Sequence, residues 1–484
     1  MSTTDFPCAD LLADYLTDDG VEVFNPANQQ SIAHVKDWSQ REVEDAIDRA
    51  AAALPDWRDR NVKDRANILR AWFEAIMARK EDLAQLMTLE QGKVISESRT
   101  EVEYGASFVE WFGEEAKRIY GDHIPSHDSD KRMVVIKQAV GVVGAITPWN
   151  FPIAMITRKI SPALAAGCTV VVKPAELTPL CALAVMKLGH DAGIPEDAFI
   201  TVTSSDSSMV GKALCGSPVV RKLSFTGSTA VGKILAEQSA HTVKKLSMEL
   251  GGNAPFIVFD DADLDAAVEG AIACKFRNAG QTCVCANRLL VHDAVYDAFM
   301  DKFVAAVQAL EVGDGATEGK DIGPLVEEKA VKKVTELVAD ATDKGGELIG
   351  GGPLDGSDGY FYRPAVIKGA TPDMRLAEEE IFGPVAPVFR FSSDEEALRL
   401  ANDTSVGLAA YFYSRDIGRI WRVAEALEYG MVGINAPSVS TELAPFGGVK
   451  ESGYGREGSK YGIEEYLEVK ALHFGGIGAS LPRR

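Results

Sequence analysis

Apolar residues recur at three- and four-residue intervals over Arg41–Ala53, Asp64–Arg79 and Lys80–Glu90. That spacing predicts helices with one buried stripe, and Pro55 and Gly92 interrupt the runs. On this pattern the first third of the chain reads as helical. After Gly121 the pattern changes: Met133–Ala139 and Gly141–Ile146 are short valine-rich runs suited to strands. Helix and strand patterns then alternate. Pro152–Ala166, Pro179–Ala192, Ser208–Leu214 and Ser228–Ser239 predict helices, and Thr169–Val172, Phe199–Thr203, Lys222–Phe225 and Lys245–Glu249 predict strands. A second series follows, with strands at Pro255–Phe259 and Arg288–His292 and helices at Leu264–Phe276, Ala294–Ala309 and Glu327–Lys344. Gly350–Gly359 reads as a loop, Pro445–Gly458 as a Gly-rich turn and Ile463–Phe474 as a strand. Repeated strand–helix alternation builds parallel, doubly wound sheets, so the fold expected is α/β with two packed lobes and a ligand cleft between them.

Composition narrows this reading. The 484 residues suggest two or three folded units with no internal repeat. The 71 acidic against 50 basic residues give a net charge of -21, which argues against nucleic acid or an anionic membrane as partner. An anion must then be met by a few local cations, so single arginines become informative. The opening MSTTDFPCADLLADYLTDDG lacks the basic and apolar regions of a secretory signal, and no uncharged apolar run is long enough to cross a membrane. The seven cysteines are odd in number and lack a framework spacing, and the seven histidines stand singly. Reduced thiols in the cytoplasm and no metal site are the expectation.

Two motifs mislead. Gly453-Tyr-Gly-Arg-Glu-Gly458 matches the dinucleotide fingerprint but lies near the C-terminus, outside a strand–helix unit, so it reads as a tight surface or cleft turn. Gly227–Lys233 resembles a P-loop, but Ile234 stands where a magnesium-binding Ser or Thr is required. What survives is a Gly-Ser turn opening a helix, where a phosphate meets free N–H groups.

Three positions carry possible chemistry. Cys283 follows a small Gly-Gln-Thr turn that exposes it, whereas the other cysteines, Cys285 apart, read as small buried hydrophobes. Glu249 ends an apolar strand before two glycines, and is either a salt-bridged strand-end carboxylate or a general base with a raised pKa. Asn150 sits between Pro148 and Pro152, either as an ordinary turn asparagine or as a preorganised oxyanion donor.

Taken together, Thr147–Pro152, Lys173–Glu176, Phe225–Ser228, Met248–Gly252, Gly280–Cys283, Glu380–Pro384 and Pro445–Gly453 resemble the aldehyde dehydrogenase superfamily over essentially the whole chain. The resemblance implies two Rossmann-like lobes with a small β oligomerisation arm. It places residues 1–120 and 140–248 in a dinucleotide-binding domain, 249–445 in a catalytic domain, and 121–139 with 463–480 in the arm. It implies that Cys283 attacks the carbonyl, that Asn150 and the Cys283 N–H hold the oxyanion, and that Glu249 activates the water that hydrolyses the thioester. Acylating members commonly lack that glutamate, so transfer to coenzyme A is not expected.

For the cofactor, the resemblance implies contacts from Ile146, Thr147, Trp149, Lys173, Ala175, Glu176, Gly211, Phe225, Gly227, Ser228, Leu250, Glu380 and Phe382. Glu176 accepts from ribose hydroxyls and repels a 2′-phosphate, so NAD is expected over NADP. Ser204–Ser208 departs from the glycine turn of many members and leaves the adenine side open. Segments around Phe151–Lys159, Lys275–Arg288 and Phe446–Gly462 look most like the succinate-semialdehyde branch, with Arg158, Arg277 and Ser440 aligned to its carboxylate-binding residues. The alternatives are a helix-surface ion pair for Arg158 and a structural bond to loop carbonyls for Arg277. Glutarate semialdehyde, one methylene longer, stays open. Cys285 is either a bystander or a redox partner of Cys283. A homodimer or homotetramer built through the arm is expected. A cysteine thioesterase or acyltransferase would need Cys283, Glu249 and Asn150 but not Lys173, Glu176, Glu380 and Phe382. A catalytically silent scaffold would be expected to lack the nucleophile or the base, and both are present.

Overall fold

The computed structural model describes residues 6–354 and 356–477. Valine-rich runs buried along their whole length, such as Val142–Ile146 and Thr169–Lys173, lie in a six-stranded sheet. Its order is Gly453–Tyr454, Lys245–Glu249, Val220–Thr226, Val142–Ile146, Thr169–Lys173, Phe199–Thr201. Every pairing is parallel except that of Gly453–Tyr454, which returns from the C-terminal region to run antiparallel to Lys245–Glu249. A second, seven-stranded sheet runs Glu347–Gly350, Ala365–Lys368, Val385–Phe391, Ala286–His292, Ala254–Val258, Ala409–Tyr413, Met431–Ile434. It is parallel apart from its first pair. Each sheet is covered by helices, so both strand faces are buried, as parallel sheets require. A third sheet joins Leu467–Phe474, Arg132–Ala139 and Asp122–Ile124 antiparallel, and this arm is exposed at Val469 and Phe474. Among the described residues no helix is long and apolar enough to cross a membrane.

Several boundaries differ from the sequence reading. The first third is not wholly helical, because Leu16–Phe24 and Ser31–Val35 form an antiparallel hairpin. Its polar residues Asp18, Asp19 and Glu22 are exposed and mask the alternation. Helix Gln40–Arg58 continues past Pro55 for one turn, anchored by buried Trp57, whose indole donates to the Leu164 carbonyl at 3.2 Å. The long helix Ile95–Glu115 was not predicted: it buries Ser98, Glu101, Gly105, Gly113 and Glu115 beside its apolar residues, which blurs the stripe. The arm strand begins at Leu467 rather than Ile463. Ser459–Glu464 is a short helix, with Gly462 seated closely against Phe112. Residues 478–480 of the expected arm lie outside the described residues. Five strands of the second sheet lie between Lys344 and Ile463, where the pattern showed none; of these Ala365–Lys368, Val385–Phe391 and Ala409–Tyr413 are almost wholly buried and lack alternation.

Candidate active site

The parallel strands of the first sheet end together at one crevice. Ile146 and Lys173 are paired at the ends of neighbouring strands, and Thr147 donates from its N–H to the Lys173 carbonyl at 3.0 Å. Lys173 binds Glu176 at 2.9 Å, just past Ala175, and Ser207 donates to the same Glu176 oxygen at 3.1 Å. Burial works against the Glu176 charge, but Lys173 outweighs it and holds the carboxyl below its usual range. The unusual Ser204–Ser208 stretch is thereby accounted for. Ser204 and Ser205 bind Asp37, Asp206 caps helix Ser207–Gly216, and Ser207 reaches Glu176. Gly211 lies one turn into that helix, where it faces Leu235.

Strand Val220–Thr226 delivers Phe225 and then Gly227. A methyl group on Gly227 would stand 2.4 Å from the Phe225 ring. Ser228 caps helix Thr229–Ser239, leaving first-turn N–H groups facing the crevice. Gly227 and Ser228, with Trp149, Asn150, Leu250, Cys283, Glu380 and Phe382, line a cavity of about 420 Å³. Trp149 and Phe382 meet edge to face at 5.5 Å, with Phe382 in the left-handed region at φ 53°. Glu380 accepts the Gly252 N–H at 3.2 Å, and burial pushes its pKa up to about 7. A dinucleotide fits this donor set. Glycine at 227 keeps the approach to a helix N-terminus open for a pyrophosphate, an aromatic pair lines the cavity, and the Lys173–Glu176 pair lies outside its lining, at the end of a neighbouring strand.

Cys283 stands where the two lobes meet, at the end of an irregular turn. Asn278, Ala279 and Gly280 are consecutively left-handed, at φ 52°, 54° and 75°. Gly280 is obligatory, since a Cβ there would lie 2.3 Å from the Gly383 carbonyl oxygen. Among the described residues the Cys283 backbone N–H has no acceptor. The Asn150 amide lines the same crevice and donates to the Gln281 carbonyl at 3.0 Å. Burial pushes the Cys283 thiol pKa up to about 12, opposed chiefly by Arg158.

Glu249 is buried at the end of its strand, and one carboxylate oxygen has no hydrogen-bond partner among the described residues. Burial, then the neighbouring Glu457, raises its pKa well above the usual carboxylate range. Glu457 is held low despite burial, because Lys159 and Arg158 both bind it at 2.5 Å. Sequence reasoning missed Glu457 and Lys159. Glu457 lies inside the fingerprint-like turn set aside as a tight turn, which proves to be a cleft turn. The available signal was the adjacent pair Arg158-Lys159 in an otherwise apolar helix, since two buried cations require a buried anion.

The three residues aligned to a substrate carboxylate are not equivalent. Arg158 is fully buried, packed over Phe446 and committed to Glu457, so its ion pair lies in the interior rather than on a helix surface. Arg277 and Ser440 line a second cavity of about 530 Å³ with Tyr104, Phe151 and Phe276. Among the described residues the Arg277 guanidinium has no ion pair and no carbonyl partner; it rests over the Phe151 ring at 5.4 Å. Asn150 lines one cavity and its neighbour Phe151 the other, so this loop is the wall between them. Cys285 is buried, and its thiol donates to the Lys275 and Ala286 carbonyls at 3.2 and 3.5 Å. A disulfide to Cys283 requires it to leave both.

A model of the aldehyde dehydrogenase family matches residues 15–472. The chain is 57% identical to the succinate-semialdehyde dehydrogenase [NADP(+)] GabD of Escherichia coli, over 94% of this chain and 95% of that relative. It is 56% identical to the glutarate-semialdehyde dehydrogenase of Pseudomonas aeruginosa, over 94% of each. Among solved structures, succinate-semialdehyde dehydrogenase from Burkholderia pseudomallei matches with a TM-score of 0.93 at 58% identity, over 95% of each chain.

Proposed function

The chain belongs to the aldehyde dehydrogenase family, and from that premise we propose that it oxidises succinate semialdehyde to succinate with NAD. The observation that carries the substrate class is the unpaired Arg277 guanidinium, with Ser440, in the cavity behind the Cys283 loop. A guanidinium with no ion pair among the described residues matches a carboxylate tail with two parallel hydrogen bonds, although Glu97 lines the same cavity. Arg158 acts at one remove, holding Glu457 beside Glu249. Glutarate semialdehyde is the second reading. The cavity volume leaves room for another methylene, which alone discriminates by about 1–3 kcal/mol.

In this reading Cys283 adds to the aldehyde carbon. Its thiol rests protonated, so attack requires removal of the proton to a nearby base, and Glu249 is the raised-pKa carboxylate beside it. The oxyanion of the thiohemiacetal receives the Asn150 amide and the Cys283 N–H. The nicotinamide dinucleotide supplies the hydride acceptor. Glu249 passes the thiol proton to solvent, then takes a proton from the water that hydrolyses the thioester and gives it to the departing thiolate, releasing the acid and the thiol. Lys173 and Glu176 hold the adenosine ribose, Ser228 the pyrophosphate, and Glu380 with Phe382 the nicotinamide side. Glu176 is kept ionised by Lys173 and repels a 2′-phosphate, which supports NAD, although the Escherichia coli relative bears an NADP(+) name.

Reduced-cofactor absorbance with a panel of charged and uncharged aldehydes, each with NAD and NADP, tests this. The highest kcat/KM is expected for succinate semialdehyde with NAD, and none for Cys283→Ser. Preference for an uncharged aldehyde removes the substrate reading, and preference for NADP removes the cofactor reading.

A further inference from the structure

The nucleophile and the oxyanion donor come from different lobes, yet a hydrogen-bonded segment outside both sheets touches the two loops. This segment, Lys93–Glu101, joins the end of one helix to the start of Ile95–Glu115. The Lys93 ammonium is buried, paired with Glu101, and donates to the Asn150 backbone carbonyl at 2.8 Å. Glu101 also accepts the N–H groups of Ile153 and Ala154 at 3.0 and 3.2 Å, holding the start of the helix that follows Asn150. One turn earlier on the same helix, both oxygens of Glu97 accept the Asn278 N–H at 3.0 Å. Asn278 is the first left-handed residue of the turn leading to Cys283. Its side-chain amide closes the circuit by donating to the Asn150 carbonyl at 3.0 Å and to the Gln281 carbonyl at 3.3 Å.

We propose that Glu97, Lys93 and Asn278 form a clamp that sets the spacing between the Asn150 amide and Cys283, making them positioning residues for the oxyanion site. Three arguments support this. The turn at Asn278 and Ala279 is unfavourable for residues with a Cβ, so it persists only where its surroundings over-determine it. Lys93 is costly to bury unless used, Glu97 is half-buried, and each directs its polar atoms at one of the two loops. A misplacement of about 1 Å between reacting groups costs about a hundredfold in rate. The clamp rests on the functional reading above, since it matters only if Asn150 and Cys283 act together.

The test is a double-mutant cycle. Glu97→Gln keeps the shape but weakens the acceptor at Asn278. It is expected to lower kcat about a hundredfold, with Kd for the dinucleotide and Tm nearly unchanged. In an Asn150→Ala background, where no amide remains to be positioned, the same substitution is expected to cost less than about threefold. A merely structural role gives the same factor in both backgrounds, and that result overturns the clamp. Should Glu97→Gln not fold, Asn278→Gly replaces it. Glycine accepts the left-handed turn but loses the bonds to Asn150 and Gln281, so the same coupling is expected and additivity again overturns the proposal. If Asn150→Ala alone leaves kcat intact, the oxyanion reading itself fails, a result separable from additivity.

Discussion

At Glu249, burial and a neighbouring carboxylate act in the same direction. A general base works as the carboxylate, and the raised pKa means that half-ionisation comes at a higher pH than for an ordinary glutamate. The rate of thioester hydrolysis should therefore fall as pH is lowered through that raised value, well before ordinary carboxylates titrate. Glu249→Gln is expected to lower steady-state turnover by about 10²–10⁴, to suppress the first-turnover burst of reduced cofactor with it, and to abolish that limb. A wild-type profile without an acid limb would contradict this. Arg277 permits a second residue-level expectation. Arg277→Gln removes a charge-assisted bond worth about 1.5–3 kcal/mol, so KM for succinate semialdehyde should rise roughly ten- to a hundredfold. KM for an uncharged aldehyde of similar length should stay nearly constant, and equal changes for both would dissociate Arg277 from the tail.

Among the elements, the turn 278–280 is the most exacting. Gly280 has a positive φ and a carbonyl within 2.3 Å of any Cβ, so backbone rather than a flexible side chain must yield. Gly280→Ala is expected to reduce kcat about a hundredfold or more through displacement of Cys283, with Tm also falling, as measured by calorimetry. Full activity would show that the turn tolerates reshaping. The exactness of this turn was not evident in the residue order, which showed only that a glycine stood there. The reason is that its constraint comes from Gly383, about a hundred residues later, and from Glu97, far earlier. By contrast, helices such as Pro179–Asp191 and Ala154–Ala166 were legible because local periodicity and a proline or glycine at their ends are local signals.

For the whole molecule, the arm strand Leu467–Phe474 exposes apolar Val469 and Phe474 to solvent, one on each face. A second copy of the chain would cover it. Light scattering is expected to give a dimer or tetramer, and Val469→Glu with Phe474→Glu a smaller mass; an unchanged mass would place the contact elsewhere.

The residue order by itself determined the α/β architecture, and its motifs singled out Cys283, Glu249 and Asn150 as candidates. Periodicity and contiguous motifs are local, and they survive without knowledge of the fold. Only the tertiary structure decided that Glu457 and Lys159 stand near Glu249, that Arg158 is committed while Arg277 has no ion pair among the described residues, and that Lys93 and Glu97 reach the loops of Asn150 and Cys283. Each of these depends on which charges meet across hundreds of residues. An ion pair leaves no mark on the sequence until the chain has brought its partners within a few ångströms.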